Sequence, residues 1–245
     1  PPDVVFGEVK RDFDINPYSY AMNSSRTLDP DEFYTRNYAP FNILDELGKN
    51  YIDLNVVDTK FQAELRYKPV TGLELSALAA IKYSATTQEH NITDYSNQAR
   101  AYRAMATTVI RDNNPFLYTD PDNAYAVPIS ILPKGGIYKR RDNNMLSYDF
   151  RFAASYNTEI NNQHIINLYG GMEVNQSDRH ESWINGWGMQ YSMGLIPFYA
   201  YEVFKKGKEE NTDYFGLADT HYRNVAFFFN GTYSWNGRST LNRSF

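Results

Sequence analysis

The sequence contains no cysteine, which excludes a disulfide framework, a thiolate metal site and a cysteine nucleophile. It also lacks a long apolar run. Stretches such as Ala77 to Ile81 and Val225 to Phe229 fall far short of the roughly 20 residues that a membrane helix requires. A helical membrane protein is thereby excluded, but a β-barrel is not, because a barrel strand shows lipid only every second side chain. Basic residues are neither in excess nor clustered: 24 stand against 29 acidic ones, a formal charge of −5. Nucleic acid is therefore not expected as a partner. The opening Pro1-Pro2-Asp3-Val4-Val5 has no basic stretch followed by an apolar core, so the expectation is that any export signal was removed or lies upstream.

What is present is aromatic weight, with 21 Tyr, 15 Phe and 3 Trp, and a strict two-residue rhythm. Phe61, Ala63, Leu65 and Tyr67 interleave with Gln62, Glu64, Arg66 and Lys68. Successive strand side chains point to opposite faces, so this run has one apolar and one charged face. The rhythm recurs at Leu73, Leu75, Ala77, Ala79, Ile81 and Tyr83, and at Leu146, Tyr148, Phe150, Phe152, Ala154 and Tyr156. It lasts about twelve residues, where globular strands run about 5–6 and tilted membrane strands need about 9–11. The spacing predicts strands over about 55–68, 73–84, 145–157, 164–175 and 223–236. Loops are expected over about 27–50, 85–144 and 176–222, with one short helix around Phe41, Leu44 and Leu47 stopped by Gly48. Short turns, such as Pro69 to Gly72, thus alternate with long connections, as in outer-membrane barrels with short periplasmic turns and long external loops. A compact soluble domain rarely holds connections beyond about 12–15 residues.

The expected fold class is therefore all-β: an antiparallel transmembrane β-barrel segment with long extracellular loops. About six strands, or seven with an incomplete one around Asn16 to Arg26, fall below the minimum of about eight for a closed single-chain barrel. An open sheet in lipid leaves two unpaired edges at several kcal/mol per backbone group. The chain is accordingly expected to be a segment of a larger polypeptide. The competing reading is a soluble extracellular β-sandwich that binds carbohydrate.

Several runs resemble the SusC/RagA class of TonB-dependent outer-membrane transporters. They are Asn16 to Arg26, Tyr38 to Leu44, Asn50 to Asn55, Asn114-Pro115-Phe116-Leu117-Tyr118, Leu132-Pro133-Lys134-Gly135-Gly136 and Tyr222-Arg223-Asn224-Val225. They occur in the order expected of the middle part of that barrel. The resemblance implies a barrel of about 22 strands around an N-terminal plug, in the outer membrane of a Gram-negative bacterium. It further implies drive from the TonB complex, an external SusD-like lipoprotein, and glycans or oligopeptides as cargo. Neither the plug nor the TonB-contacting segment is in this sequence.

Catalysis finds little support. His90, His164, His180 and His221 are scattered along the sequence, and His180-Glu181 lacks the second histidine of a metalloprotease helix. Asp120-Pro121-Asp122-Asn123 departs from the calcium-loop pattern and reads as an Asx turn. No cofactor or metal site is expected. Trp183, Trp187 and Tyr191 recur every four residues, which places them on one face of a helical turn; that face is either offered to substrate or partner or used to fold the loop on itself within the aromatic belt. Arg100, Arg103, Lys139, Arg140 and Arg141 read as solvated loop charges. Gln62, Glu64, Arg66 and Lys68 are assigned to the barrel lumen, since cations facing lipid at the midplane cost about 2–4 kcal/mol.

Overall fold

The computed structural model describes Met22, residues 39–236 and residues 239–244. The expected N-terminal strand and the Asn16 to Arg26 motif lie outside these residues, Met22 excepted. Among the described residues seven strands form one sheet: β1 (Asn50–Val70), β2 (Leu73–Ile92), β3 (Gly136–Ile160), β4 (His164–Gln190), β5 (Ile196–Pro197), β6 (Phe215–Trp235) and β7 (Ser239–Ser244). The order is β1-β2-β3-β4-β6-β7, with β5 paired to the end of β4 through Met189↔Pro197 and Gln190↔Ile196. Consecutive pairing with tight reversals is what alternating antiparallel strands produce. Gly72 (φ 87), Asn161 (φ 55) and Asn162 (φ 52) supply the positive φ that these reversals need.

The strands are longer than the sequence pattern indicates. Residues 85–92, 136–144, 176–190 and 215–222, assigned to loops above, continue the ladders. The rhythm disappears there because it requires one apolar side, whereas the ladder itself is made by backbone groups that any residue carries. Pro69 likewise lies inside β1, and the reversal is at Thr71-Gly72.

The chain divides into two compact units. One comprises Leu54–Gln88, Arg141–Trp183 and Gly216–Phe245. Its apolar rhythm buries nothing: Phe61 and Leu65 are each 70% exposed and Phe227 75%, and among its described residues only Ala80 and Ala153 are buried hydrophobics. A sandwich needs a second sheet to cover such a face, and the described strands all belong to one sheet. The opposite face is laced by ion pairs, Arg66–Glu64 at 2.6 Å, Lys68–Glu74 at 3.1 Å, Lys82–Asp58 at 3.0 Å and Arg151–Glu173 at 2.7 Å. Gln62, Glu64, Arg66 and Lys68 all lie on β1, which is exposed along this stretch.

The other unit takes in residues 39–53 together with Glu89–Arg140 and Ile184–Phe215. It has a core, Ile92, Ala99, Leu132 and Ile137, with Tyr102 and Trp187 packed against it. Short helices surround that core: α1 (Ile43–Glu46), α2 (Asn97–Ala101), α3 (Thr108–Asn113) and α4 (Tyr201–Glu209). Asn42, Ser96 and Thr107 cap the first three by accepting from backbone N–H groups, which offsets the donors a helix start leaves unpaired. The expected helix near Phe41 is α1. Its end differs from expectation, because Leu47 closes it in right-handed conformation (φ −56, ψ −30) and Gly48 does not enter the positive-φ region.

Candidate functional site

Three polar anchors hold the loops of this second unit. Asn114, 7% exposed, donates to the carbonyls of Ala101 (2.9 Å) and Ala104 (2.8 Å) and accepts from Phe116 N–H (3.0 Å). Asp94, 6% exposed, accepts from the backbone N–H groups of Tyr191 (3.3 Å) and Ser192 (2.7 Å) and so fixes the 3₁₀ turn Tyr191–Met193. Arg103 donates to the carbonyls of Asp94 and Gly135. Burial depresses its pKa from the usual guanidinium range, which leaves it charged and bound to carbonyl dipoles. Arg103 is therefore a structural tie instead of a solvated loop charge. Lys139, Arg140 and Arg141 also leave the loop assignment, being part of β3, where Arg140 lies 3.5 Å from Glu89 and Arg141 3.6 Å from Glu181. Arg100 stands over the Tyr95 ring at 5.7 Å.

Against this frame α4 builds a cavity of about 370 Å³ lined chiefly by Ile184, Trp187, Tyr199, Val203, Phe204 and Tyr214. Phe204 and Tyr214 meet edge to face, 5.1 Å between centroids at 83°, a favoured aromatic geometry. A second cavity of about 310 Å³ shares Trp187, Val203, Phe204 and Tyr214 and adds Lys206, Lys208, Glu210 and Asp213. One compartment is thus apolar and aromatic, and its neighbour carries charges of both signs. Gly188 (φ 81) brings the strand end close enough to wall the site, since a Cβ there would stand 1.9 Å from the Phe198 carbonyl oxygen. Only glycine fits that approach.

The far end of α4 is tied down by charge. Lys205 lies 2.6 Å from Asp120 and 3.6 Å from Asp122, and the Tyr118 hydroxyl donates to Glu209 at 2.7 Å. The hydrogen bond from Lys205 holds the Asp120 carboxyl below its ordinary range, while Asp120 raises Lys205 above its own. Burial and the Glu209 bond push the Tyr118 phenol up to about 12. Asp120, Asp122 and Glu209 stand near enough together to share a cation. The Lys205 ammonium lies against two of them and supplies that positive charge. Asp120 also accepts from Asp122 N–H at 3.0 Å, as an Asx turn does.

The proposed helical face of Trp183, Trp187 and Tyr191 does not form. Trp183 and Trp187 lie on β4 and Tyr191 opens the 3₁₀ turn. A four-residue interval suits a strand as well as a helix, because alternate residues share a strand face. Trp183 lies over Gly216, where a Cβ would come within 2.4 Å of its Nε1. Trp187 packs on the core edge to face with Tyr102, at 5.3 Å and 80°, and reaches both cavities. Tyr191 donates to Asn91 at 3.0 Å, and burial drives its pKa well above the tyrosine range. The residues that sequence reasoning missed are those of α4 and its flanks, Tyr199, Val203, Phe204 and Tyr214. Ala200 at the helix start offers no capping side chain and Gly207 interrupts the run, so the usual boundary signals are missing.

No family model matches the chain, and no curated protein matches it. Solved structures do. The RagAB peptide transporter is similar over 86% of this chain and 20% of that one, with TM-score 0.58 and 12% identity. The RagAB peptide importer in its open-open state gives 0.56 and 13% over 86% of this chain and 19% of that one. In its closed-closed state it gives 0.54 and 14% over 80% and 18%. The likeness is one of fold, an antiparallel segment of a β-barrel wall, and the chain spans about a fifth of the length of these transporter chains.

Proposed function

We propose that this chain forms wall strands and external loops of a TonB-dependent importer in the outer membrane of a Gram-negative bacterium. In this reading it has no enzymatic role, and it admits oligopeptides or glycans captured together with a SusD-like lipoprotein. The observation that carries the reading is the uncovered apolar face of a single antiparallel sheet, with Phe61, Leu65 and Phe227 bare on one side and paired charges on the other. Hydrocarbon is the surrounding that makes such a sheet stable, and closure by further strands is what satisfies its edges. The fold likeness to a peptide importer supports the same class.

Within that reading the paired cavities beside α4 are where cargo or the lipoprotein first touches the protein, with Trp187 at their common wall. An apolar side chain or sugar face suits the aromatic compartment, and polar ends suit Lys206, Lys208, Glu210 and Asp213. Gln62, Glu64, Arg66 and Lys68 line the lumen beside the plug. The decisive experiment disrupts the gene and measures uptake of labelled oligopeptides and oligosaccharides, with cell fractionation and co-purification of surface lipoproteins alongside. The expected result is outer-membrane localisation, loss of uptake of one cargo class, and a lipoprotein retained by the wild type. A protein that stays soluble after export, or unchanged uptake of both classes, overturns the proposal.

A further inference from the structure

The four histidines look scattered in sequence, but strand pairing collects two of them. On β4 and β6, His180 Nδ1 lies 2.6 Å from Asp219 Oδ1, and His221 Nδ1 lies 2.7 Å from Asp178 Oδ1. The two pairs are two residues apart on each strand and run in opposite directions, so all four side chains share one sheet face in a square. His180 and His221 are diagonal neighbours, a placement that puts Cβ atoms about 7–8 Å apart or somewhat less. Both histidine side chains are open to solvent, 50% and 62% exposed.

The protons follow from the partners. An ionised carboxylate only accepts, so in each neutral imidazole Nδ1 carries the hydrogen and donates it. Each Nε2 is then a lone-pair donor, and neither makes a hydrogen bond with the described residues. A carboxylate that holds Nδ1–H and frees Nε2 is the arrangement that surrounds metal-ligating histidine generally. Asp178 is itself steadied by a bond from Gln176 at 2.8 Å.

We infer that His180 and His221 form a surface site for a borderline divalent ion such as Zn²⁺, Ni²⁺ or Cu²⁺. Both Nε2 atoms ligate, Asp178 and Asp219 act as orienting carboxylates, and water completes the coordination. Imidazole nitrogen selects this class over Ca²⁺ and Mg²⁺, which take oxygen. The inference does not rest on the transport reading.

The test uses the intact protein, purified in detergent and stripped with a chelator. Titration with ZnCl₂ by calorimetry is expected to show one ion per chain that His180→Ala or His221→Ala weakens at least about tenfold. Asp178→Asn or Asp219→Asn is expected to weaken it by about 10–100-fold, as the loss of a carboxylate that orients a metal-bound histidine does. With CuCl₂, electron paramagnetic resonance is expected to show imidazole nitrogen that disappears in the double histidine variant. His180→Gln and His221→Gln preserve side-chain bulk and serve if an alanine variant folds poorly. Zinc affinity unchanged in the double variant, or a copper spectrum free of imidazole nitrogen, overturns the assignment, as does strong binding of Ca²⁺ in place of Zn²⁺.

Discussion

Lys205, Asp120, Tyr118 and Glu209 show how single side chains set the conditions under which a loop stays in place. Lys205 and Tyr118 both have raised pKa values in the folded chain, Tyr118 at about 12 against an ordinary 10.0. The folded state therefore holds protons that the unfolded chain releases more readily, and their stabilisation is complete below pH 10 and fades as pH rises toward 12. Asp120 works in the other direction. Its pKa is depressed below 3.8, so its contribution is present above that value and is lost as pH falls through the lower one. The tie between residues 118–122 and α4 is expected to loosen at both extremes. In a spectrophotometric tyrosine titration, Tyr118→Phe should remove one phenol from the late phase near pH 12, to which Tyr191 also belongs. Titration of that residue near pH 10 would show that the Glu209 bond does not persist in solution.

At the level of the strand, alternation assigns every residue of β1 to one of two environments, and the two respond differently to charge. Leu65→Arg on the apolar face is expected to cost about 2–4 kcal/mol if it sits near the bilayer midplane. Reversing Glu64 and Arg66 together keeps an exposed pair in place and is expected to leave stability nearly unchanged. Equilibrium unfolding of the intact protein in lipid vesicles measures both. Equal sensitivity of the two faces would refute the lumen assignment of Gln62, Glu64, Arg66 and Lys68. The long polar ends of β3 and β4 belong to this scale too. They carry the ladder beyond the reach of the rhythm, and they bring Trp183, Trp187 and the histidine square onto strands.

For the molecule as a whole, the single sheet with one bare apolar face predicts where lipid lies. Single cysteines replacing Phe150, Leu168 and Phe227, each labelled with a fluorophore, are expected to be quenched by brominated lipid in vesicles. Labels at Glu64 and Arg151 are expected to respond to aqueous quenchers only. Uniform aqueous quenching at all five positions would place the apolar face against protein and return the sandwich to consideration. The likeness to the RagAB transporters is one of fold.

The sequence by itself determined the strand faces, the antiparallel all-β class and the tight reversals, because these depend on local rules: the two-residue period, the positive φ of turn residues and the lack of a long apolar run. Phe61 to Lys68 could be read at sight for that reason. Tertiary structure alone decided what the polar stretches do. Asp94 and Arg103 satisfy N–H groups and carbonyls far along the chain, Asn114 ties carbonyls of the preceding turn, and no local period records such partners. The cavity beside α4 needs Trp187, Phe204 and Tyr214 from separate elements, and the histidine square needs the register between β4 and β6. Both arise from pairing across long sequence separations, where one residue of slip would turn each side chain to the other face.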